Sequence, residues 1–192
     1  MKNAKSTDKN LVIELLESSF DTNMSVNYII PQNQNRAKRK RALMNYSFDI
    51  CTLFGKVLIS NDEKGCALIL YPDKKKSTIK SIFLDLKLII ECIGFRNIKK
   101  TLSREALIRK LHANELISYI CYIIFDPEYQ NQGIGSALLN EIIEDSKLKN
   151  RAIYLETSTI KNLPWYQKFG FEIYNEYDLS YHLYFLRRLA NK

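Results

Sequence analysis

A glycine-containing segment in the second half of the chain has the residue types and spacing of a phosphate-binding turn. It reads Gln130-x-x-Gly133-x-Gly135 and joins a long apolar run to an amphipathic helical pattern. The first amides of a helix have no carbonyl partners within that helix and carry partial positive charge. Glycines allow a phosphate to approach those amides with no side chain in the way. The segment therefore predicts a pyrophosphate-binding loop.

The residues around this loop distinguish it from two other classes of phosphate-binding glycine turn. It lacks the Gly-Lys-Ser/Thr ending of a P-loop, which disfavours nucleoside triphosphate hydrolysis. It also lacks the three-glycine spacing of a dinucleotide-binding Rossmann fold. A second segment, Leu163 to Phe171, follows downstream and places Tyr166 shortly before a Gly-Phe pair.

The two segments together resemble the GNAT (general N-acetyltransferase) superfamily, in which a Gln/Arg-x-x-Gly-x-Gly/Ala loop binds acyl-coenzyme A. In that family a tyrosine on a short helix then precedes Gly-Phe. The resemblance covers Glu115 to Tyr177 closely and the N-terminal half only loosely. It implies one acyl-CoA N-acyltransferase domain over residues 1–192. The implied fold is α/β (α+β), with a mixed, mostly antiparallel central sheet that is flanked by helices and splayed between its fourth and fifth strands.

The resemblance also implies where the co-substrate, acetyl-CoA, would bind. Backbone groups of the splayed fourth strand would pair with the pantetheine arm, and the glycine loop would hold the pyrophosphate. Asn162 would replace an asparagine that many members carry at the position of Thr159. The expected coenzyme-binding residues are Ile123, Ile124, Phe125, Gln130, Asn131, Gln132, Gly133, Ile134, Gly135, Ser136 and Asn162.

The implied reaction is direct attack of an amine on the thioester, without a covalent enzyme intermediate. Tyr166 matches the family's general acid, because a tyrosine hydroxyl can protonate the departing thiolate. The alternative for Tyr166 is an aromatic anchor for its short helix. The backbone N–H of Ile124 is the expected donor to the developing oxyanion.

The general base is not assigned by the sequence. Glu115, Ser118 and Glu156 are candidates on the fourth and fifth strands, although Glu156 is equally suited to a structural role. His112 precedes the fourth strand and either lines the acceptor pocket or has a surface or core role. No Ser, Cys and His set supports nucleophilic catalysis, and no metal-ligand spacing is present.

Composition leaves two functions of other classes open. The chain has 192 residues and a formal net charge of +8, which favours anionic partners. The densest basic run, Arg36 to Arg41, is compatible with nucleic acid or the ribosome, although a solvated helix face is the simpler interpretation. The other alternative is a catalytically silent acyl-CoA-binding or regulatory module. The amine acceptor is not identified, and the tyrosine-rich C-terminal strands could pair in a homodimer.

Cysteine usage and hydropathy indicate a cytoplasmic protein without a membrane partner. The four cysteines are scattered in apolar segments and are expected to be reduced. The polar start does not resemble a signal peptide. The most hydrophobic stretch, Ile79 to Phe95, contains charged residues and is too short for a membrane span.

Apolar periodicity predicts the elements that would position these residues. Recurrence at three and four residues predicts helices, and short apolar or alternating runs predict strands. Predicted helices span 9–20, 36–54, 79–93, 103–112 and 162–169, with another from Ile134; predicted strands span 56–60, 66–71, 116–125, 152–157, 171–177 and 179–186. The extended helical segment at about 79–112 either forms a wall of the acceptor site or only packs over the sheet.

Overall fold

The computed structural model describes residues 1–112, 115–125 and 133–190, which form one sheet flanked by helices. The strands are β1 (Lys2–Asn3), β2 (Gly55–Ile59), β3 (Gly65–Leu70), β4 (Ile117–Phe125), β5 (Ala152–Thr157), β6 (Glu172–Asp178) and β7 (His182–Arg188). The helices are α1 (Lys9–Ser19), α2 (Met24–Ile29), α3 (Arg36–Phe54), α4 (Ile79–Leu88), α5 (Ile98–Leu111), α6 (Ile134–Leu148) and α7 (Leu163–Lys168).

The sheet has seven strands in the order β1-β2-β3-β4-β5-β7-β6. Every neighbouring pair is antiparallel except β4 and β5, which are parallel. The parallel pair is joined through α6, as expected for a crossover connection. This arrangement confirms the predicted mixed, mostly antiparallel sheet.

Helices cover both faces of the sheet because successive strand residues point to opposite sides. On β2, Val57 belongs to the core beneath α1 and α3, whereas Leu58 belongs to the core beneath α6 and α7. On the face opposite to α6, the half of the sheet containing β7 is covered by α5, where Ile108 packs with Leu183 and Phe185.

The helical segment that begins at Ile79 is present, but its apolar stripe does not cover the sheet. The side of α4 that includes Ser81 and Asp85 faces inward, and the Tyr46 hydroxyl of α3 donates to Asp85 at 2.6 Å. The stripe itself is on the outer side, where five large apolar side chains are each more than half exposed: Ile79, Ile82, Phe83, Leu86 and Ile90. The packing interpretation therefore does not hold for these five residues, whereas Ile93, at the end of the same predicted helix, is buried in the core. No helix of the described residues is long and apolar enough to cross a membrane.

Candidate active site

The parallel strands β4 and β5 are paired over only part of their length. Their register pairs Ile117 with Ala152 and ends where Tyr119 lies opposite Tyr154. Beyond this point β4 continues to Phe125, and β5 pairs only with β7 on its other side. The two strands thus leave a wedge-shaped opening lined by backbone groups of β4, as the predicted splay requires.

A β-bulge on β4 lies at the base of this opening. Leu68 of β3 is opposite Tyr122 and Ile69 is opposite Ile120, so Cys121 is the extra residue on β4. A bulge bends its strand and increases the local twist, which explains why β4 leaves β5 here.

Hydrogen bonds at the start of β3 determine which β4 residues direct their backbone groups into the opening. Gly65 bonds towards β2, because its carbonyl accepts from the Ser60 N–H at 2.9 Å and its own N–H donates to the Ser60 hydroxyl. The backbone groups of successive strand residues point to alternate sides of the strand. Cys66 therefore directs its groups towards β4, where Ile124 lies opposite it.

The alternating direction of the backbone groups on β4 contradicts one expectation drawn from the sequence. The N–H of Ile124 points towards Cys66 in β3 and is not free in the opening. The expected role of Ile124 as oxyanion donor does not fit the ladder. The groups that face the opening belong to its neighbours Ile123 and Phe125, which were also expected to bind the coenzyme.

The start of α6 lies next to the end of β4. Gly133 precedes the helix with φ of +80°, a conformation that favours glycine, and its carbonyl accepts the Ala137 N–H at 2.8 Å. The amides before Ala137 are those that a helix leaves without internal partners. A Cβ on Gly135 would lie 2.8 Å from the Phe125 ring, so only glycine allows this contact between α6 and β4.

The other residues expected to bind the coenzyme occupy different positions around α6. Ile134 is buried, and the Ser136 hydroxyl accepts a long hydrogen bond from the Trp165 indole N–H at 3.4 Å. Asn162 is exposed just before α7, and its side chain does not cap that helix. Gln130, Asn131 and Gln132 lie outside the described residues.

We expect Gly135→Ala to weaken both folding and coenzyme binding. The added methyl group would force α6 away from Phe125 and displace the first amides of the helix. We expect a loss of about 1–3 kcal/mol in stability, as for overpacked sites. Thermal melting and calorimetric titration with coenzyme A would measure both effects. Val12→Ala is the control for lost stability, because Val12 of α1 is fully buried in the core on the sheet face opposite to α6. Equal coenzyme affinity in both variants and the wild type would contradict the expectation.

Tyr166 is buried on α7, on the sheet face that carries Ile123 and Phe125. Its ring packs against Phe171 with centroids 5.6 Å apart. Burial raises the pKa of its hydroxyl well above the usual tyrosine value, so the hydroxyl stays protonated at neutral pH. Tyr166 therefore keeps its proton at neutral pH, and its ring packing anchors α7.

The opposite face of the opening contains a buried carboxylate that the sequence did not distinguish from a structural one. The Glu156 side chain is only 4% exposed and lies on β5, two residues beyond its last pairing with β4. Its Oε2 accepts the Tyr119 hydroxyl. Its Oε1 lies 3.8 Å from His112 Nε2, too far for a hydrogen bond. Both of these atoms are buried and have no hydrogen-bond partner among the described residues.

Several titratable groups surround this carboxylate. Burial and the charge of Glu156 raise the pKa of Tyr119 far above its usual value, and the same two causes raise that of Tyr174. The guanidinium of Arg104 is buried on α5, where its Nε donates to the Tyr181 hydroxyl at 3.2 Å. The site is therefore a buried aromatic cluster in which, among the described residues, one carboxylate oxygen and one imidazole nitrogen have no hydrogen-bond partner.

The two other base candidates make structural contacts. The Glu115 carboxylate accepts the Tyr154 hydroxyl at 2.7 Å at the paired end of β4. Ser118 is fully buried beneath α6, where its hydroxyl accepts that of Ser146 at 2.8 Å. Neither contact lies in the opening. Alternation on β5 could have indicated Glu156, because a charged residue stands there between two buried positions, Leu155 and Thr157.

The basic run on α3 is largely paired within the protein. Arg36 and Lys40 bond the Asp21 carboxylate at 2.7 and 2.9 Å, and together they lower its pKa to about 2. Arg41 pairs with Glu17 at 2.5 Å. This pairing weakens the polyanion-binding alternative. Within residues 1–112, 115–125 and 133–190 no group of three or more His, Cys, Asp or Glu side chains is arranged to hold a metal ion.

Comparison with known proteins gives a match to a family model and a short similarity to a named enzyme. The family model described as an acetyltransferase (GNAT) domain matches residues 86–173. Glucosamine 6-phosphate N-acetyltransferase from Trypanosoma brucei brucei is 34% identical over 55 residues, or 29% of this chain. That match spans only 37% of the length of the relative.

Several solved structures share the fold over nearly the whole chain. An HPA2-type histone acetyltransferase and related acetyltransferase from Corynebacterium glutamicum aligns with a TM-score of 0.68 at 17% identity, covering 98% of this chain and 94% of that one. Arylalkylamine N-acetyltransferase 2 from Aedes aegypti gives 0.64 at 19% identity, covering 99% and 98%. Arabidopsis thaliana Naa50, bound to the bisubstrate analogue CoA-Ac-MVNAL, gives 0.56 at 16% identity, covering 97% and 95%.

Proposed function

We propose that this chain, whose residues 86–173 match a GNAT acetyltransferase domain, transfers an acetyl group from acetyl-CoA to a primary amine by direct attack. The observation that carries this proposal is the wedge between β4 and β5, which opens beside the glycine-flanked start of α6. The same opening has a protonated tyrosine on one face and an unpaired carboxylate oxygen on the other.

The backbone around the wedge fits acyl-coenzyme A. Ile123 and Phe125 would offer their N–H and C=O groups to the amides of the pantetheine arm, much as a neighbouring strand does. The first amides of α6, from Ile134 to Ser136, would hold the pyrophosphate. Acetyl-CoA would supply an acetyl group activated as a thioester.

A backbone N–H of β4 would stabilise the negative charge that develops on the carbonyl oxygen. We assign this role to Ile123, because its N–H faces the opening and lies deeper than that of Phe125, close to the bulge. A preorganised amide in such a site is worth roughly 3–4 kcal/mol of transition-state stabilisation.

Tyr166 would give its proton to the sulfur as the carbon–sulfur bond breaks. Burial favours the neutral hydroxyl, so Tyr166 is protonated before each turnover. The phenolate formed in this step would regain a proton from solvent.

Glu156 and His112 would receive the proton that the acceptor amine must lose. An alkylammonium has a reference pKa of about 10.4, so presenting it neutral at pH 7 costs roughly 4–5 kcal/mol. The 3.8 Å gap between Glu156 Oε1 and His112 Nε2 can be bridged by one nitrogen or oxygen atom that bonds to both. An ammonium group bound there would satisfy the unpaired carboxylate oxygen and would transfer one proton to the pair before attack. The second proton, which the nitrogen loses once the carbon–nitrogen bond has formed, would pass to solvent.

The aromatic rings around Glu156 and His112 suit an amine with an apolar body. His112 packs against Tyr119 and Tyr154 with ring centroids 5.4 and 5.2 Å apart. The Trypanosoma relative acts on an amino sugar phosphate and the Aedes enzyme on arylalkylamines. Both acceptors carry a primary amine, which supports the class of acceptor proposed here without selecting a compound.

Two measurements test the proposal together. Calorimetric titration should show binding of acetyl-CoA, and an assay of free thiol should show acetyl-CoA consumption that depends on an added amine. A panel of amino sugars, arylalkylamines, polyamines and peptides would identify the acceptor. Tight coenzyme binding without turnover on any amine would favour the catalytically silent module. Absence of binding would overturn the proposal.

A further inference from the structure

The outer surface of the segment between β3 and β4 combines two features that do not belong to the proposed active site. The first is the exposed apolar stripe of α4, defined by Ile79, Ile82, Phe83, Leu86 and Ile90. Phe95 extends it beyond the helix and is 79% exposed. A contiguous apolar patch of this kind on a water-exposed helix indicates a contact surface.

The second feature is a cationic cleft of about 650 Å³ that adjoins the stripe and shares Ile90 and Phe95 with it. Arg39, Arg96 and Lys100 line this cleft, and none of the described residues that line it is acidic. The Arg39 Nη1 donates to the Cys92 carbonyl at 2.8 Å, but its Nε is buried and has no acceptor among the described residues. The cleft therefore offers donors and positive charge to an anion.

Most of the charged residues around the stripe are basic. Residues 74–100 contain eight lysines and arginines but only two acidic residues, Asp85 and Glu91. Asp85 accepts the Tyr46 hydroxyl on the inner side of α4, and Glu91 is within 3.9 Å of Lys87. An exposed apolar helix with a basic surround is typical of a helix that lies in the interface of an anionic bilayer.

We propose that this surface, the α4 stripe with the adjoining cleft, docks the protein onto a bilayer that contains anionic lipids. The apolar side chains would enter the boundary between headgroups and acyl chains, and a lipid phosphate would occupy the cleft beside Arg39, Arg96 and Lys100. This contact lies on the membrane surface and requires no spanning helix, so the composition that disfavours a span does not oppose it.

Two other occupants fit the same surface less well. A second copy of the chain would bring two strongly cationic segments together, and like charges repel. A small acceptor that carries a phosphate cannot reach from the cleft to the proposed reaction centre. Lys100 and His112 lie at opposite ends of α5, about 18 Å apart at the rise of an α-helix.

Vesicle flotation with the full chain tests the proposal. Vesicles of phosphatidylcholine alone should bind little protein, and an equal mixture with phosphatidylglycerol should bind it in a salt-sensitive manner. Phe83→Asp and the double variant Arg96→Glu with Lys100→Glu should each weaken binding about tenfold or more. Leu148→Asp and Lys147→Glu are matched controls on the exposed end of α6 and should bind like the wild type.

Each variant is first checked by thermal melting and by calorimetric titration with coenzyme A, so that a folding defect is separated from a lipid-binding defect. Absence of binding to the anionic vesicles, or equal binding by all variants, would overturn the proposal. Inorganic phosphate bound in the cleft without vesicle binding would indicate a soluble anion instead and would also overturn it. A dimer that Phe83→Asp converts to a monomer, without vesicle binding, would assign the surface to self-association.

Discussion

Replacing Tyr166 by phenylalanine is expected to lower kcat by about 10²- to 10⁴-fold, the usual contribution of a general acid. The substitution removes only the hydroxyl and keeps the ring contact with Phe171. Coenzyme affinity and stability should therefore be preserved. Steady-state kinetics with a saturating amine would measure the loss, and titration with coenzyme A would confirm that binding is intact.

The acidity of the leaving group separates a proton donor from a structural tyrosine. Because burial raises the pKa of Tyr166, its hydroxyl remains protonated beyond the ordinary tyrosine value of about 10. The wild-type rate should accordingly show no fall from loss of this proton between neutral pH and pH of about 9. The defect of the phenylalanine variant should also shrink with p-nitrophenyl acetate as acetyl donor, because its leaving group is more acidic and needs less protonation.

Tyr177→Phe is the matched control, since this tyrosine lies on β6 and is 45% exposed. It should retain wild-type activity. A Tyr166→Phe variant with activity within about twofold of the wild type would leave Tyr166 as an anchor of its helix and would assign protonation of the thiolate to solvent.

The sequence predicted the parts of this protein that depend on local pattern. The helix boundaries of α1 and α3 and the positions of β3 and β5 agree with the apolar periodicity to within one or two residues. The glycine segment could be interpreted from the sequence because two local features of the structure require glycine there. These are φ of +80° at Gly133 and the close packing at Gly135.

The bulge on β4 was not predictable from the same pattern. One additional residue, Cys121, changes which residues of β4 face the opening after that point. Before the bulge Leu116, an even-numbered residue, directs its carbonyl towards the Ala152 N–H of β5. After it the odd-numbered residues face the opening, so the assignment of Ile124 was displaced by one position. Every residue from Tyr119 to Phe125 is apolar or aromatic, and no change of type marks the shift.

The α4 stripe shows a different limit of sequence interpretation. Periodicity identifies a helix with an apolar side, but it does not show what that side contacts. The helix has a second, shorter inward side around Ser81 and Asp85, and that side packs against α3. The stripe therefore faces outward although its composition is typical of a core.

Glu156→Gln is expected to reduce kcat by about 10²- to 10³-fold while KM for acetyl-CoA stays unchanged. The amide keeps the size of the side chain, and its oxygen can still accept the Tyr119 hydroxyl, so the fold should be retained. What it loses is the negative charge and the ability to take a proton from the amine. Steady-state kinetics with a saturating amine, at a fixed neutral pH, would measure the loss.

A second carboxylate provides the control that separates a catalytic role of Glu156 from a structural one. Glu115→Gln is the matched control, because Glu115 also accepts a tyrosine hydroxyl but lies at the paired end of β4. It should leave kcat within about twofold of the wild type. His112→Asn should reduce kcat less than Glu156→Gln, since Glu156 would still bind the ammonium group. If Glu156→Gln and Glu115→Gln had equal activity, Glu156 would be structural and solvent would take the proton of the amine. The unpaired Oε1 of Glu156 argues for the catalytic role, because a buried carboxylate oxygen without a partner costs stability unless a ligand satisfies it.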